Sequence, residues 1–127
     1  MEQKYRIGTD SGYIMWDINL ILENITMFPT IICDVAELSR HNPFHGDEDY
    51  AMTTDISKPL IIVALSEHIN KLIDGNHRLY KASRLQMKEL PAIFLTKEEH
   101  IRFIENYDEQ VYNQVISEFL RQYRSSN

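Results

Sequence analysis

Cysteine is almost missing from this chain: Cys33 is the only one in 127 residues. A lone cysteine excludes an internal disulfide and any zinc site built on cysteines, and it suits a reducing compartment. Also missing is a run of about eighteen apolar residues, the length that spans a bilayer. Met1-Glu2-Gln3-Lys4 leads into mixed sequence, with no basic-plus-apolar leader. Together these absences predict a soluble, cytoplasmic chain with no membrane partner. Surplus positive charge is lacking too, since 13 Lys and Arg stand against 19 Asp and Glu, giving net −6. Duplex DNA is bound by clustered lysines and arginines that displace counterions, so it is not an expected partner. No internal repeat or low-complexity tract occurs, and the only linker-like stretch is the Ser125-Ser126-Asn127 end.

What is present is enough for one small domain spanning 1–127. A chain of this size buries roughly two thirds of the surface it exposes when unfolded, and 43% hydrophobic residues supply a core without staples. Its most informative stretch is Asp74-Gly75-Asn76-His77-Arg78, where an apolar strand-like run stops and an amphipathic helix begins. A helix start leaves roughly four backbone N–H groups unpartnered and carries about half a positive charge, which suits phosphate. Gly75 lets the backbone turn tightly and approach a ligand. Asn76 can cap the helix, His77 can donate to a phosphate oxygen, and Arg78 offers a planar charged fork. The Asp74 carboxylate can hold magnesium or accept a proton from a substrate hydroxyl. Against this stands a plain turn followed by a solvated first helical turn.

The context of that loop favours the ligand reading. Lys58-Pro59-Leu60-Ile61-Ile62-Val63, then Lys71 through Ala82, then Leu90-Pro91-Ala92-Ile93 resemble the ParB/sulfiredoxin superfamily in order and spacing. The resemblance covers about Ile31 to Thr96. It implies an α/β (α+β) fold, a small mixed sheet with packed helices, with a core over 31–96 and a carboxy-terminal helical region over 97–124. In kinase-like members an acid from the amino-terminal side reaches the nucleotide loop, and Glu37 or Asp34 resembles that residue. The same two acids have the spacing of a capping box opening a short helix through Leu38. The family's glycine between helix and next strand is replaced here by Lys88-Glu89, which puts that turn's geometry in question.

The other elements read as follows. Ile14, Trp16, Ile18, Leu20 and Leu22 alternate partly with polar residues, which suits a half-buried strand, although a helix fits the same run. Ile31-Ile32 predicts a short strand. His41 to Asp55 is polar and irregular, a solvated loop or a lid over the Asp74 to Arg78 site. Its His41, His45, Asp47, Glu48 and Asp49 have metal-ligand chemistry but no zinc spacing. Leu60 to Leu65 predicts a strand buried on both faces, Ser66-Glu67-His68 a hairpin turn, and Ile69 to Ile73 its return. In the next helix Leu79, Tyr80, Ala82, Ser83 and Met87 form the packing face, with Tyr80 in the core rather than a cofactor platform. Arg78, Lys81, Arg84 and Lys88 make a basic stripe, either a phosphate-site mouth or a solvent face. Leu90 to Leu95 is the last strand. Thr96 with Glu99, and then Asp108, predict helix starts, and Val111, Tyr112, Val115, Ile116, Phe119, Leu120 and Tyr123 give the last helix a broad apolar face for the domain or a partner.

Departures from the family narrow the function. Sulfiredoxins need a cysteine where Asn76 stands, which argues against reductase chemistry. Partition proteins carry a Gly-x-Arg-Arg loop and a DNA-binding helix-turn-helix, and this chain has His77 before Arg78 with only a short tail. The loop is most similar to that of ParB-like free serine kinases. The expectation is a nucleotide-binding domain, with ATP ahead of CTP, magnesium as cofactor, and a kinase or nucleotide hydrolase activity on a small molecule. Gly75, Asn76, His77 and Arg78 would bind phosphate, and Asp74, Glu37 and His77 would be catalytic. Two alternatives are a non-enzymatic interaction module of the immunity, antitoxin or phage-inhibitor type, using the carboxy-terminal helix, and a ParB-like nuclease.

Overall fold

A computed structural model describes residues 3–126, an α+β chain that divides into two compact units. One unit is continuous, Ile25–Thr96, and the other joins the chain's two ends, residues 1–24 and 97–127.

In the continuous unit, β3 (Thr30–Asp34), β4 (Leu60–Ala64), β5 (Asn70–Asp74) and β6 (Glu89–Leu95) form a mixed sheet in the order β3-β6-β4-β5. β6 runs antiparallel to β3 and parallel to β4, and β4 and β5 form a hairpin. Leu60, Ile61, Ile62 and Val63 are all buried, as their uniform apolar character predicts. The hairpin turns where expected: Ser66 Oγ accepts the Ile69 N–H at 3.1 Å, and the Leu65 N–H donates to the Ile69 carbonyl at 2.9 Å. On one face Leu60, Ile62, Leu72, Leu90 and Ala92 meet Val35 of α2 (Val35–His41) and Leu79 and Ala82 of α4 (Asn76–Arg84). Cys33 packs partly into this core, and burial pushes its thiol up from the ordinary value.

The packing face of α4 is narrower than its sequence suggests. Leu79 and Ala82 are buried and Met87 joins the core, whereas Ser83 is exposed and Tyr80 is half-buried outside the sheet-facing core. The missing glycine after α4 has a local answer. Gln86 takes φ +57°, its N–H donates to the Ser83 carbonyl, and the Met87 N–H donates to that of Ala82. This is the paired-bond helix ending that glycine usually supplies, here with glutamine in the left-handed position.

The other unit contains the hairpin of β1 (Lys4–Thr9) and β2 (Gly12–Asp17), then α1 (Ile18–Glu23), α5 (Lys97–His100) and α6 (Glu109–Ser126). The strand expected over Ile14 to Leu22 therefore stops halfway. Asp17 accepts the Leu20 N–H at 3.0 Å and caps a helix, converting the remainder. Asp108 caps α6 as predicted, its Oδ1 accepting the Val111 N–H at 3.0 Å. The apolar face of α6 packs on β1 and β2, with Tyr112, Val115 and Ile116 buried. The helix continues through Ser125 and Ser126, where the sequence suggested a linker-like end, and Asn127 lies outside the described residues. No helix among the described residues is long and apolar enough to cross a membrane.

Candidate functional site

The buried pair Leu72 and Ile73 carries β5 to Asp74, where the chain must turn into α4. Gly75 makes the turn at φ +102°. A Cβ there would lie 2.4 Å from Leu60 Cδ2, in a wholly buried core, so both conformation and space demand glycine. Gly75 is also the residue that caps α4, and no side chain accepts from the first turn. Asn76, expected as a cap, is the first helical residue and is exposed. The first turn holds no acidic residue. Its amides and the positive end of the helix dipole therefore have no side-chain cap.

Arg78 does not extend toward a ligand. Its Nη2 donates to Asp74 Oδ2 at 2.8 Å, and its Nη1 donates to the Pro59 carbonyl at 2.9 Å. The side chains of Asp74 and Arg78 are 21% and 13% exposed. The guanidinium thus ties the end of β5 to the start of β4, with one N–H of each Nη committed to the protein's own loop. The rest of the basic stripe is partly committed as well. Lys81 Nζ donates to the Thr54 carbonyl at 2.7 Å, and Arg84 Nη1 donates to Tyr80 Oη at 2.8 Å. Lys88 is exposed.

His77 is half-buried between two aromatic rings. Phe44 meets it edge-on with centroids 5.4 Å apart, and Tyr50 does so at 5.2 Å. Phe44 also stacks on Tyr80 at 4.4 Å. The polar segment from His41 to Asp55 is therefore neither a free loop nor irregular throughout. It contains the short helix α3 (Glu48–Ala51), capped by Asp47, and lies along α4 from His77 to Lys81. Sequence reasoning missed Phe44 and Tyr50, whose only signal was two aromatics in an otherwise polar run. It also missed the Asp74–Arg78 pair, which its i,i+4 spacing did announce.

The two amino-terminal acids are not brought to the loop. Asp74 aligns across the sheet with Ile61 and Ile93, whereas Asp34 pairs with Glu89, four residues along β6 and three strands from β5. At standard strand spacings their backbones are roughly 19 Å apart. Asp34 Oδ1 accepts the Glu37 N–H at 2.8 Å, so Glu37 belongs to the first turn of α2 at that same far corner. Asp34 does what its capping spacing predicted, and Glu37 contributes its backbone N–H to that cap. Asp34 also lines an open groove of about 330 Å³ with Ser83, Gln86, Met87 and Lys88, at the opposite end of α4 from Gly75. Among the described residues, no three His, Cys, Asp or Glu side chains gather to hold a metal ion, His41 and His45 included.

No family model, curated protein or solved structure matches this chain.

Proposed function

We propose that the β5–α4 junction binds the phosphate groups of a nucleotide, in a domain of the ParB/sulfiredoxin kind. The observation that carries this reading is the uncapped start of α4 behind Gly75, with Asn76 exposed beside it. The order of elements supports it: a strand following Pro59, a hairpin, a strand ending in Asp74, the left-handed glycine, a helix, and a strand carrying Pro91. In this reading the first-turn amides and Asn76 hold phosphate oxygens, and His77, steadied by Phe44 and Tyr50, donates from the side. Arg78 holds Asp74 and the loop in place and contributes positive field from behind.

For magnesium the loop offers a single carboxylate, Asp74, with one oxygen engaged by Arg78 and the other left for a metal, so magnesium would be held there only together with the nucleotide's phosphates. Asp34 and Glu37 do not supply the second acid of a phosphotransferase. Binding is therefore the function proposed, with ATP tried ahead of CTP.

The test is the melting temperature against ATP, ADP, CTP and GTP, each with and without magnesium. A ligand at about a hundred times its Kd adds roughly 2.7 kcal/mol, a shift of several degrees for a domain of this size. Asn76→Asp sharpens the result. A carboxylate in the first turn favours the helix dipole, so the unliganded protein should melt at the same temperature or slightly higher, while the nucleotide shift disappears. No shift with any nucleotide at millimolar concentration would sink the proposal.

A non-enzymatic interaction module is the second reading, favoured by the engagement of both Arg78 Nη nitrogens within the protein. Deleting the chain after Asn106 would not test it, because α6 supplies core to its own unit. Charge changes on the exposed side of α6, Gln114→Lys and Arg121→Glu, would leave that core intact and abolish partner capture.

A further inference from the structure

We propose that β3 is a self-association edge: two copies of this chain join their four-stranded sheets through antiparallel pairing of Thr30–Asp34 with itself, centred on Ile32. The sheet order leaves β3 as one edge. Its outward groups follow from one bond. The Val35 N–H donates to the Lys88 carbonyl at 2.9 Å, in register with Asp34 opposite Glu89. Because antiparallel residues alternate, Cys33 and Ile31 point their backbone groups toward β6, and Thr30, Ile32 and Asp34 point theirs away.

This edge lacks the usual guards. Ile32 is 63% exposed and Ile31 39%, with Met27 at 65% just before the strand. Thr30 to Cys33 contains no charge and no proline, these standing only at the strand's two ends, Pro29 before it and Asp34 as its last residue, and its register with β6 is continuous. The opposite edge, β5, carries Lys71 and Asp74 and faces an irregularity between Ile61 and Ile62. Charges, prolines and bulges are how sheets blunt their edges, so one edge of this sheet is protected and the other is open.

Charge selects the occupant and its direction. Antiparallel pairing about Ile32 sets each Asp34 against the partner's Thr30 and each Ile31 against the partner's Cys33, opposing no like charges. Parallel in-register pairing would set Asp34 against its own copy. A five-residue ladder covers well under the roughly 800 Å² per partner of a standard interface, so the dimer is weak. Two chains of net −6 also repel, so added salt should strengthen it.

Sedimentation equilibrium over micromolar to millimolar protein should show a monomer–dimer exchange that tightens with salt. Ile32→Pro removes an N–H that faces away from β6 and should leave a monomer with unchanged circular dichroism. Ile32→Lys, at an exposed position, should do the same and covers the case in which the proline variant misfolds. Register is tested by Ile31→Cys, which should form an intermolecular disulfide to Cys33 under mild oxidation. Pairs outside the hydrogen-bonded positions lie about 4.5 Å apart at Cα, near the short end of disulfide geometry. Thr30→Cys, opposite Asp34, should cross-link far less. A wild-type monomer throughout the range, or equal cross-linking by both cysteine variants, overturns the proposal.

Discussion

At the residue scale, two left-handed positions flank α4 and they call for opposite substitutions. Gly75 has no room for a Cβ, so Gly75→Ala should cost about 2 kcal/mol in chemical unfolding, through its φ of +102° and the displaced Leu60. Gln86 occupies a glycine position with a side chain attached. Gln86→Gly should therefore gain about 0.5–1 kcal/mol by the same measurement, with nucleotide shifts unaffected. The sequence showed the first site, because Asp-Gly between an apolar run and a helix leaves few alternatives. It concealed the second, since nothing about Leu85-Gln86-Met87 marks the glutamine as the turning point; the turn is fixed by Met87 being drawn into the core five residues beyond Ala82. The role of Arg78 was concealed for a related reason. A guanidinium beside a glycine loop suits phosphate, and the same guanidinium four residues after an acid suits that acid; the Pro59 carbonyl that holds its other nitrogen is 19 residues away in sequence.

At the element scale, caps decided what periodicity left open. Ile14 to Leu22 fits a strand and a helix nearly equally, and the choice falls at Asp17, whose carboxylate ends β2 and starts α1. The β1–β2 hairpin went unread because its first strand is short and mixed, although Asp10 and Ser11 followed by Gly12 have turn chemistry. β4, β5, α4 and β6 were legible because long-range burial and local pattern agree in them. Asp34 tests the line between cap and catalyst directly. Asp34→Ala should destabilise by about 1 kcal/mol through loss of the bond to the Glu37 N–H, and it should leave nucleotide affinity unchanged. A large loss of affinity with unchanged stability would bring this acid back toward the loop.

At the scale of the whole molecule, a cluster in the unit formed from the chain ends makes stability depend on alkaline pH. Trp16, the only tryptophan, donates its indole N–H to His100 Nδ1 at 3.1 Å, and His100 is wholly buried. Nδ1 accepts that bond because an indole nitrogen can only donate. Around it stand Tyr112 on α6, at 6.2 Å between ring centroids, Tyr5 on β1 behind Trp16, and Lys97 on α5 over the Tyr112 ring. Tyr112 sets the alkaline limit. Burial first, then the neighbouring Tyr107 and Glu98, push its hydroxyl up to about 12. An unfolded tyrosine ionises near 10, so the folded state keeps a proton that the unfolded state releases. The contribution is complete below about pH 10 and is lost as pH climbs through about 12, by at most about 1.4 kcal/mol per unit. Tyr112→Phe should remove this loss. It should cost nothing at pH 7 and can gain a few tenths of a kcal/mol, because among the described residues the buried hydroxyl has no hydrogen-bond partner. Phenylalanine retains the ring under Lys97. Urea unfolding followed by Trp16 fluorescence from pH 7 to 11 measures this limit. An alkaline slope equally steep in Tyr112→Phe would assign that limit to some other group.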